Sequence, residues 1–191
     1  MSDKNRSYSG LFLTPGAGSN RNHSTLCHLE KLLHPLPVER FDFQYRKQGK
    51  HFPAPVSNLV SEVKDAVEKM SKKHGIESQD LILGGRSMGG RVCSMAVAEG
   101  LPAAGLILIC YPLHPAKKPE TLRVDHFPSI QVPCLFISGD KDEFGTPEEF
   151  SQHLPKISGP VTTVYIEGKR HDLKGADERI GQAAIEWLNQ L

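Results

Sequence analysis

A serine between two glycines, placed where an apolar run gives way to a helical pattern, is the residue best suited to nucleophilic chemistry. The stretch Gly85-Arg86-Ser87-Met88-Gly89 has the spacing G-x-S-x-G, which is typical of a sharp strand-to-helix turn that exposes a serine hydroxyl. Glycine is needed at both ends because a side chain there would meet the adjacent strand or helix. The Met88 N–H then lies at a helix N-terminus, where it can face an oxyanion. The alternative is an ordinary glycine-rich turn in which Ser87 only caps the helix.

A serine hydroxyl is a weak nucleophile unless a base takes its proton and a third group orients that base. In a parallel sheet such groups come from loops at the carboxyl ends of strands. His171 follows one predicted late strand, and Asp140 and Asp142 follow another. We favour Asp142 as the acid because it is further from the strand end, on a loop able to bend toward a histidine. Asp140 remains the alternative acid, and a purely local role remains open for both aspartates and for the histidine.

A second oxyanion donor is expected from the loop after the first strand. Pro15-Gly16-Ala17-Gly18 lies there, and we predict that the Ala17 N–H acts beside the Met88 N–H, with Gly16 next to the substrate. The same glycines could instead form a phosphate-binding turn. That interpretation lacks support, because Arg21 replaces the third glycine of the dinucleotide fingerprint and no GK[ST] follows.

The rest of the chain alternates between strand and helix patterns, which predicts a parallel sheet covered by helices on both faces. After the second strand we expect a polar loop over Gln44–Pro55. The predicted strands are Tyr8–Leu13, Val38–Phe43, Leu81–Leu83, Gly105–Cys110, Cys134–Ser138 and Thr162–Ile166, and helices are predicted around Leu26–Leu33, Val56–His74, Met88–Glu99, Pro147–Leu154 and Ile180–Leu191.

Composition narrows the class of protein. A chain of 191 residues with 38% hydrophobic residues is expected to form a single domain, residues 1–191, around one core. No apolar run is long enough for a membrane span, and the polar start Met1–Gly10 predicts no secretory signal. A net charge of +1 predicts no preference for nucleic acid or anionic lipid. The four cysteines lack metal-site spacing, so we expect a reduced cytoplasmic protein without metal or cofactor.

Three stretches give the chain a family resemblance: Leu83-Gly84-Gly85-Arg86-Ser87-Met88-Gly89 with Arg91, then Ile109-Cys110-Tyr111-Pro112-Leu113-His114-Pro115, then Leu135-Phe136-Ile137-Ser138-Gly139 leading to Asp142. Over nearly its whole length the chain resembles the small, lidless α/β-hydrolase-like proteins that include dienelactone-hydrolase-like proteins and vertebrate testis-expressed and KANSL-type hydrolase-like proteins. The resemblance implies Ser87 as nucleophile, Asp142 as acid and His171 as base. Many relatives begin the oxyanion loop with His-Gly, whereas this chain has Pro15-Gly16.

The expected architecture is a three-layer α/β/α hydrolase fold with a minimal core of about six mainly parallel strands. The segment from Tyr111 to Pro133 is too short for a cap domain, so the site should be open. An open site favours small soluble esters or thioesters over long lipids, with Arg86, Tyr111 and His114 as expected substrate-binding residues at its rim. We therefore predict a serine hydrolase. The alternative is a catalytically silent binding or scaffold protein, since some eukaryotic members of the family are complex subunits, and the oligomeric state stays open.

Overall fold

The computed structural model describes residues 7–191. Six strands form one sheet in which every neighbouring pair is parallel. The strands are β1 (Gly10–Thr14), β2 (Val38–Arg40), β3 (Leu81–Arg86), β4 (Gly105–Ile109), β5 (Cys134–Gly139) and β6 (Val161–Ile166). Their order in the sheet is β2-β1-β3-β4-β5-β6, so β2 lies at the edge beside β1, and β3 to β6 follow one another on the other side of β1.

Helices cover both faces of the sheet. The helices are α1 (Ser24–Leu33), α2 (Gln44–Lys47), α3 (Val56–His74), α4 (Met88–Ala98), α5 (Pro147–His153) and α6 (Asp177–Leu188). The core of one face contains side chains from α2, α3, α4 and α5, and the core of the other contains side chains from α1 and α6.

The central strands are apolar at consecutive positions because both of their faces are buried. In β4, Leu106 and Leu108 pack on the face of α3 and α4, whereas Ile107 and Ile109 pack on the face of α1 and α6. The alternation of side chains along a strand produces this division. The structure confirms the predicted three-layer architecture, with six parallel strands and no cap: between β4 and β5 the chain forms loops and one 3-10 turn, Phe127–Ser129.

Two local expectations were wrong. The second strand ends at Arg40 and does not extend to Phe43, and the expected polar loop over Gln44–Pro55 begins with the four-residue helix α2. Within the described residues, no helix combines the length and apolar character needed to cross a membrane.

Close backbone contacts explain the glycines around β3. A Cβ on Gly85 would lie 2.1 Å from the Thr14 carbonyl oxygen, and one on Gly89 would lie 2.4 Å from the Pro15 carbonyl oxygen. Gly85 also has a φ of 153°, a conformation that side chains disfavour. Because glycine lacks a Cβ, the turn after β3 can pack closely against the end of β1. This packing brings Ser87 beside the loop that follows β1.

Candidate active site

Ser87 occupies the sharp turn between β3 and α4. Its backbone angles are φ 48° and ψ −119°, which lie outside the regions that a residue with a side chain normally adopts. The Ser87 N–H donates to the Ile109 carbonyl at 2.7 Å, and the Ser87 carbonyl accepts from the Arg91 N–H in the first turn of α4. The neighbouring strand and helix thus hold the strained turn in place from both sides.

The structure brings Ser87, His171 and Asp142 into one hydrogen-bonded line. His171 Nε2 lies 2.8 Å from Ser87 Oγ, and Nδ1 of the same ring lies 2.9 Å from both carboxylate oxygens of Asp142. With Nδ1–H donating to the carboxylate, Nε2 is left as an acceptor for the serine proton. The three residues come from the loops after β3, β5 and β6, which meet at the carboxyl edge of the sheet.

The carboxylate of Asp142 is held rigidly. Asp142 is 1% exposed, and one of its oxygens also accepts from the Phe144 N–H at 2.9 Å. The Phe144 ring packs against the His171 ring with centroids 4.1 Å apart. Asp140 lies elsewhere: its nearest cation is Lys141 Nζ at 3.9 Å, and its N–H donates to the Ile166 carbonyl. Of the two aspartates, Asp142 is the one that reaches the imidazole.

The loop after β1 lies beside Ser87. Gly16, Ala17 and Met88 all line the cleft around the serine hydroxyl, and a Cβ on Gly16 would lie 3.6 Å from the Ser87 Cβ. Within residues 7–191, no acceptor takes the N–H of Ala17 or of Met88. Both N–H groups are therefore available to a group bound next to Ser87.

Tyr45 fixes this loop, a contact that the sequence did not indicate. The Tyr45 hydroxyl donates to the Ala17 carbonyl at 2.8 Å, and the residue is buried, with 3% exposure. Burial raises the pKa of the phenol, so the hydroxyl keeps its proton and remains a donor. The only sequence signal for Tyr45 is an aromatic residue in a polar segment.

Arg86 lines the cleft but binds protein atoms. Its Nη2 donates to the carbonyl of Asp172 at 2.8 Å and, at 3.4 Å, to that of His171, and its Nη1 lies 2.6 Å from His23 Nε2. Arg86 is 8% exposed. The structure therefore places this side chain under the loop of His171, in contact with the backbone that carries the imidazole.

Tyr111 and His114, expected at the rim, lie away from the cleft. Tyr111 is fully buried, packs against Phe127 and Phe136, and donates its hydroxyl proton to the Arg123 carbonyl at 2.7 Å. His114 is 5% exposed, with Nε2 3.2 Å from a carboxylate oxygen of Glu149 on α5. Neither side chain borders the space around Ser87.

The cleft around Ser87 has a volume of about 720 Å³, enough for a small organic substrate. One wall is apolar and consists of the segment before α3 together with the first turn of that helix. The remaining walls contain four arginines, of which Arg91 and Arg123 lie on the side of α3 and α4. The sequence indicated no role for Arg91 or Arg123, although Arg91 follows the serine by one helical turn.

Such an arrangement can perform acyl transfer. A strained serine has its hydroxyl hydrogen-bonded to an imidazole, the imidazole is bonded to a buried carboxylate, and two free N–H groups flank the serine. Cys110 lies close to these groups, but burial raises the pKa of its thiol to about 12, which keeps it protonated and unreactive.

A family model and several solved structures match this chain and share its fold. The family model described as alpha/beta hydrolase domain matches residues 8–190. An alpha-beta serine hydrolase homologue from Coxiella burnetii has 20% identity and a TM-score of 0.74, with 97% of this chain and 88% of that chain covered. Est1E from Butyrivibrio proteoclasticus with bound ferulic acid has 14% identity and a TM-score of 0.74, covering 100% and 92%.

The structure of a dienelactone hydrolase from Anabaena variabilis is about as similar to this chain as the two structures above. It has 19% identity and a TM-score of 0.72, with 96% of this chain and 87% of that chain covered. At these identities the structural matches show a shared fold. The family match extends over nearly the whole chain, and the chain therefore belongs to the alpha/beta hydrolase domain family.

Proposed function

We propose that the protein is a serine hydrolase that cleaves carboxylic esters or thioesters through an acyl-enzyme on Ser87. The observation that carries the proposal is the line of hydrogen bonds from Ser87 Oγ through His171 to Asp142, with distances of 2.8 and 2.9 Å. In this proposal His171 is the general base, Asp142 orients its ring, and the N–H groups of Ala17 and Met88 bind the oxyanion.

The reaction begins when Ser87 Oγ attacks the substrate carbonyl carbon and its proton passes to His171 Nε2. The carbonyl oxygen becomes an oxyanion, which the two N–H groups stabilise, each by about 2.7–4 kcal/mol in comparable sites. Collapse of this intermediate breaks the bond to the alcohol or thiol, which leaves with the proton from Nε2. Water then attacks the acyl-enzyme, gives its proton to His171, and releases the acid while Ser87 regains its proton.

The shape of the cleft supports small substrates. There is no cap between β4 and β5 to enclose a long acyl chain, and an open cleft near 720 Å³ suits small, freely diffusing esters. We further propose that residues 1–191 form one domain and that the protein belongs to the small, lidless subgroup suggested by the sequence. We also propose that it acts in the cytoplasm. Four free cysteines support that compartment.

A panel of short-chain 4-nitrophenyl esters tests the proposal, with Ser87→Ala as the matched control. Wild type is expected to release 4-nitrophenol catalytically, and Ser87→Ala is expected to lose at least about 10³-fold in kcat because the nucleophile is gone. Equal turnover by the two proteins would reject Ser87 as the nucleophile.

A further inference from the structure

The side of the cleft formed by α3 and α4 holds two arginines that have no acidic partner among the residues the structure describes. Arg91 lies in α4, one turn after Ser87, and Arg123 lies in the loop between β4 and β5. In the part of the chain that the structure describes, neither guanidinium comes within 4.0 Å of a carboxylate. Two cations therefore line one wall of the cleft without a carboxylate counter-ion among residues 7–191.

The two cations are close enough to affect each other. Burial and the positive charge of Arg91 both lower the pKa of Arg123. The Nε of Arg91 is buried and has no acceptor among the described residues. Partly buried charges are costly unless they are paired, so this pair maintains a positive potential in a confined space. Such a potential attracts an anion.

The other two arginines of the cleft differ in this respect. The Arg86 guanidinium donates to backbone carbonyls under the loop of His171. The Arg170 side chain is 71% exposed, and its Nε lies 3.7 Å from a carboxylate oxygen of Glu143. Arg91 and Arg123 are thus the cleft arginines that lack both a carboxylate partner and a backbone role for the guanidinium within residues 7–191.

The position of the pair relative to Ser87 indicates which part of a substrate would meet it. In the proposed reaction the leaving group receives its proton from His171 and so lies against that ring. The acyl chain then extends to the other side of Ser87, along α4, where residues four apart on a helix share one face. The apolar wall formed by Pro53, Ala54, Val56 and Leu59 also lies in this cleft.

We propose that the substrate is an ester whose acyl chain ends in a carboxylate, and that Arg91 and Arg123 bind this carboxylate. The inference rests on the proposed hydrolase function and names its substrate class. A planar guanidinium matches a carboxylate with two parallel hydrogen bonds. The apolar wall contacts the methylene groups between the carboxylate and the reacting carbonyl.

The first test compares two esters of the same acyl length, the mono-4-nitrophenyl ester of adipic acid and its methyl-capped neutral form. Wild type is expected to prefer the anionic ester. Arg91→Gln and Arg123→Gln are each expected to lower the ratio of kcat/KM for the anionic over the neutral ester by about tenfold or more. Arg179→Gln, an exposed arginine on α6, is the charge-matched control and should leave the ratio unchanged. A wild type that shows no preference for the anionic ester, or a ratio unaffected by both cleft variants, would overturn the proposal.

A binding measurement separates this inference from the hydrolase proposal. The Ser87→Ala variant is titrated calorimetrically with monomethyl adipate. The same titration is repeated with two double variants, in which Ser87→Ala is combined with Arg91→Gln or with Arg123→Gln. Saturable binding that weakens about tenfold or more in either double variant supports the anion subsite. This conclusion would stand even if the wild-type protein hydrolysed no ester, because missing hydrolysis would reject only the proposed function. Absence of saturable binding at millimolar ligand, or binding that both substitutions leave intact, would overturn the subsite.

Discussion

At the scale of single residues, the two aspartates after β5 lie two positions apart but have different surroundings. Asp142 is 1% exposed and within 2.9 Å of the His171 imidazole. Asp140 lies 3.9 Å from Lys141 Nζ, and its N–H donates to the Ile166 carbonyl at the end of β6. Because a buried carboxylate next to an imidazole both orients the ring and stabilises its charged form, the two residues should differ sharply in their effect on catalysis.

We expect Asp142→Asn to lower kcat by roughly 10³- to 10⁴-fold, because an amide at this position favours the wrong tautomer of His171. Asp140→Asn should stay within about threefold of wild type. Initial rates on the best 4-nitrophenyl ester compare the two variants. A larger loss for Asp140→Asn would transfer the acid role to that residue.

Much at this scale could be predicted from residue type and position along the chain. A Cβ on the glycines that flank Ser87 would come as close as 2.1 Å to neighbouring backbone atoms. Because only glycine fits at these positions, the requirement is visible in the sequence as a fixed spacing. Tyr111 and His114 could not be placed in the same way. Cys110, directly after β4, has a φ of 51°, so the chain bends there and the side chain of Tyr111 enters the core. Nothing in the sequence marks that bend.

At the scale of elements, the short helix α2 supports the loop after β1. It has only four residues, too few for an apolar periodicity to be visible, which explains why the sequence indicated a loop. Its contribution to the site is one hydrogen bond, from the Tyr45 hydroxyl to the Ala17 carbonyl. That bond ties the peptide next to the proposed oxyanion donor to the core under α3.

Tyr45→Phe removes the hydroxyl but keeps the ring. We expect kcat to fall roughly 10- to 100-fold because the Ala17 peptide loses its fixed orientation, and the free energy of unfolding to fall by only about 1 kcal/mol. Ester kinetics and urea unfolding measure the two effects. Tyr165→Phe, on β6 and outside the cleft, is the control. Equal activity of Tyr45→Phe and wild type would show that the loop is held in place without this bond.

At the scale of the whole molecule, a half-buried histidine links stability to pH. His126 Nε2 lies 2.8 Å from Ser94 Oγ. Burial, reinforced by the charge of Arg91, lowers its pKa from 6.5 to about 4. The folded protein therefore keeps this ring neutral at pH values where the unfolded chain protonates it. The stabilisation is present above pH 6.5 and is lost as the pH falls toward 4.

The free energy of unfolding should accordingly decrease between pH 6.5 and about 4, with a contribution from His126 on the order of 2 kcal/mol after allowing for its partial exposure. In His126→Gln this contribution is absent, so the stability difference from wild type shrinks as the solution is acidified. Urea unfolding across that range measures it, with His51→Gln at an exposed position as control. A difference that stays constant with pH would contradict the assignment.

The six-strand parallel architecture could be predicted because strand and helix patterns alternate along the whole chain. The Arg91–Arg123 pair could not, since it joins a helix to a loop 32 positions later (123 minus 91) and depends on how the loop between β4 and β5 folds back over α4. The convergence of the loops after β3, β5 and β6 follows from the parallel sheet itself. We propose that this convergence makes Ser87 a reactive nucleophile.

Labelling with a fluorophosphonate probe is the decisive measurement, because the probe reacts covalently with an activated serine whatever the natural substrate is. We expect stoichiometric labelling of the wild-type protein, mapped by mass spectrometry to the peptide that contains Ser87. Ser87→Ala should not be labelled, and labelling of His171→Ala should be strongly slowed. A folded wild-type protein that does not react would favour a silent binding protein, and equal labelling without His171 would reject that residue as the base that activates Ser87.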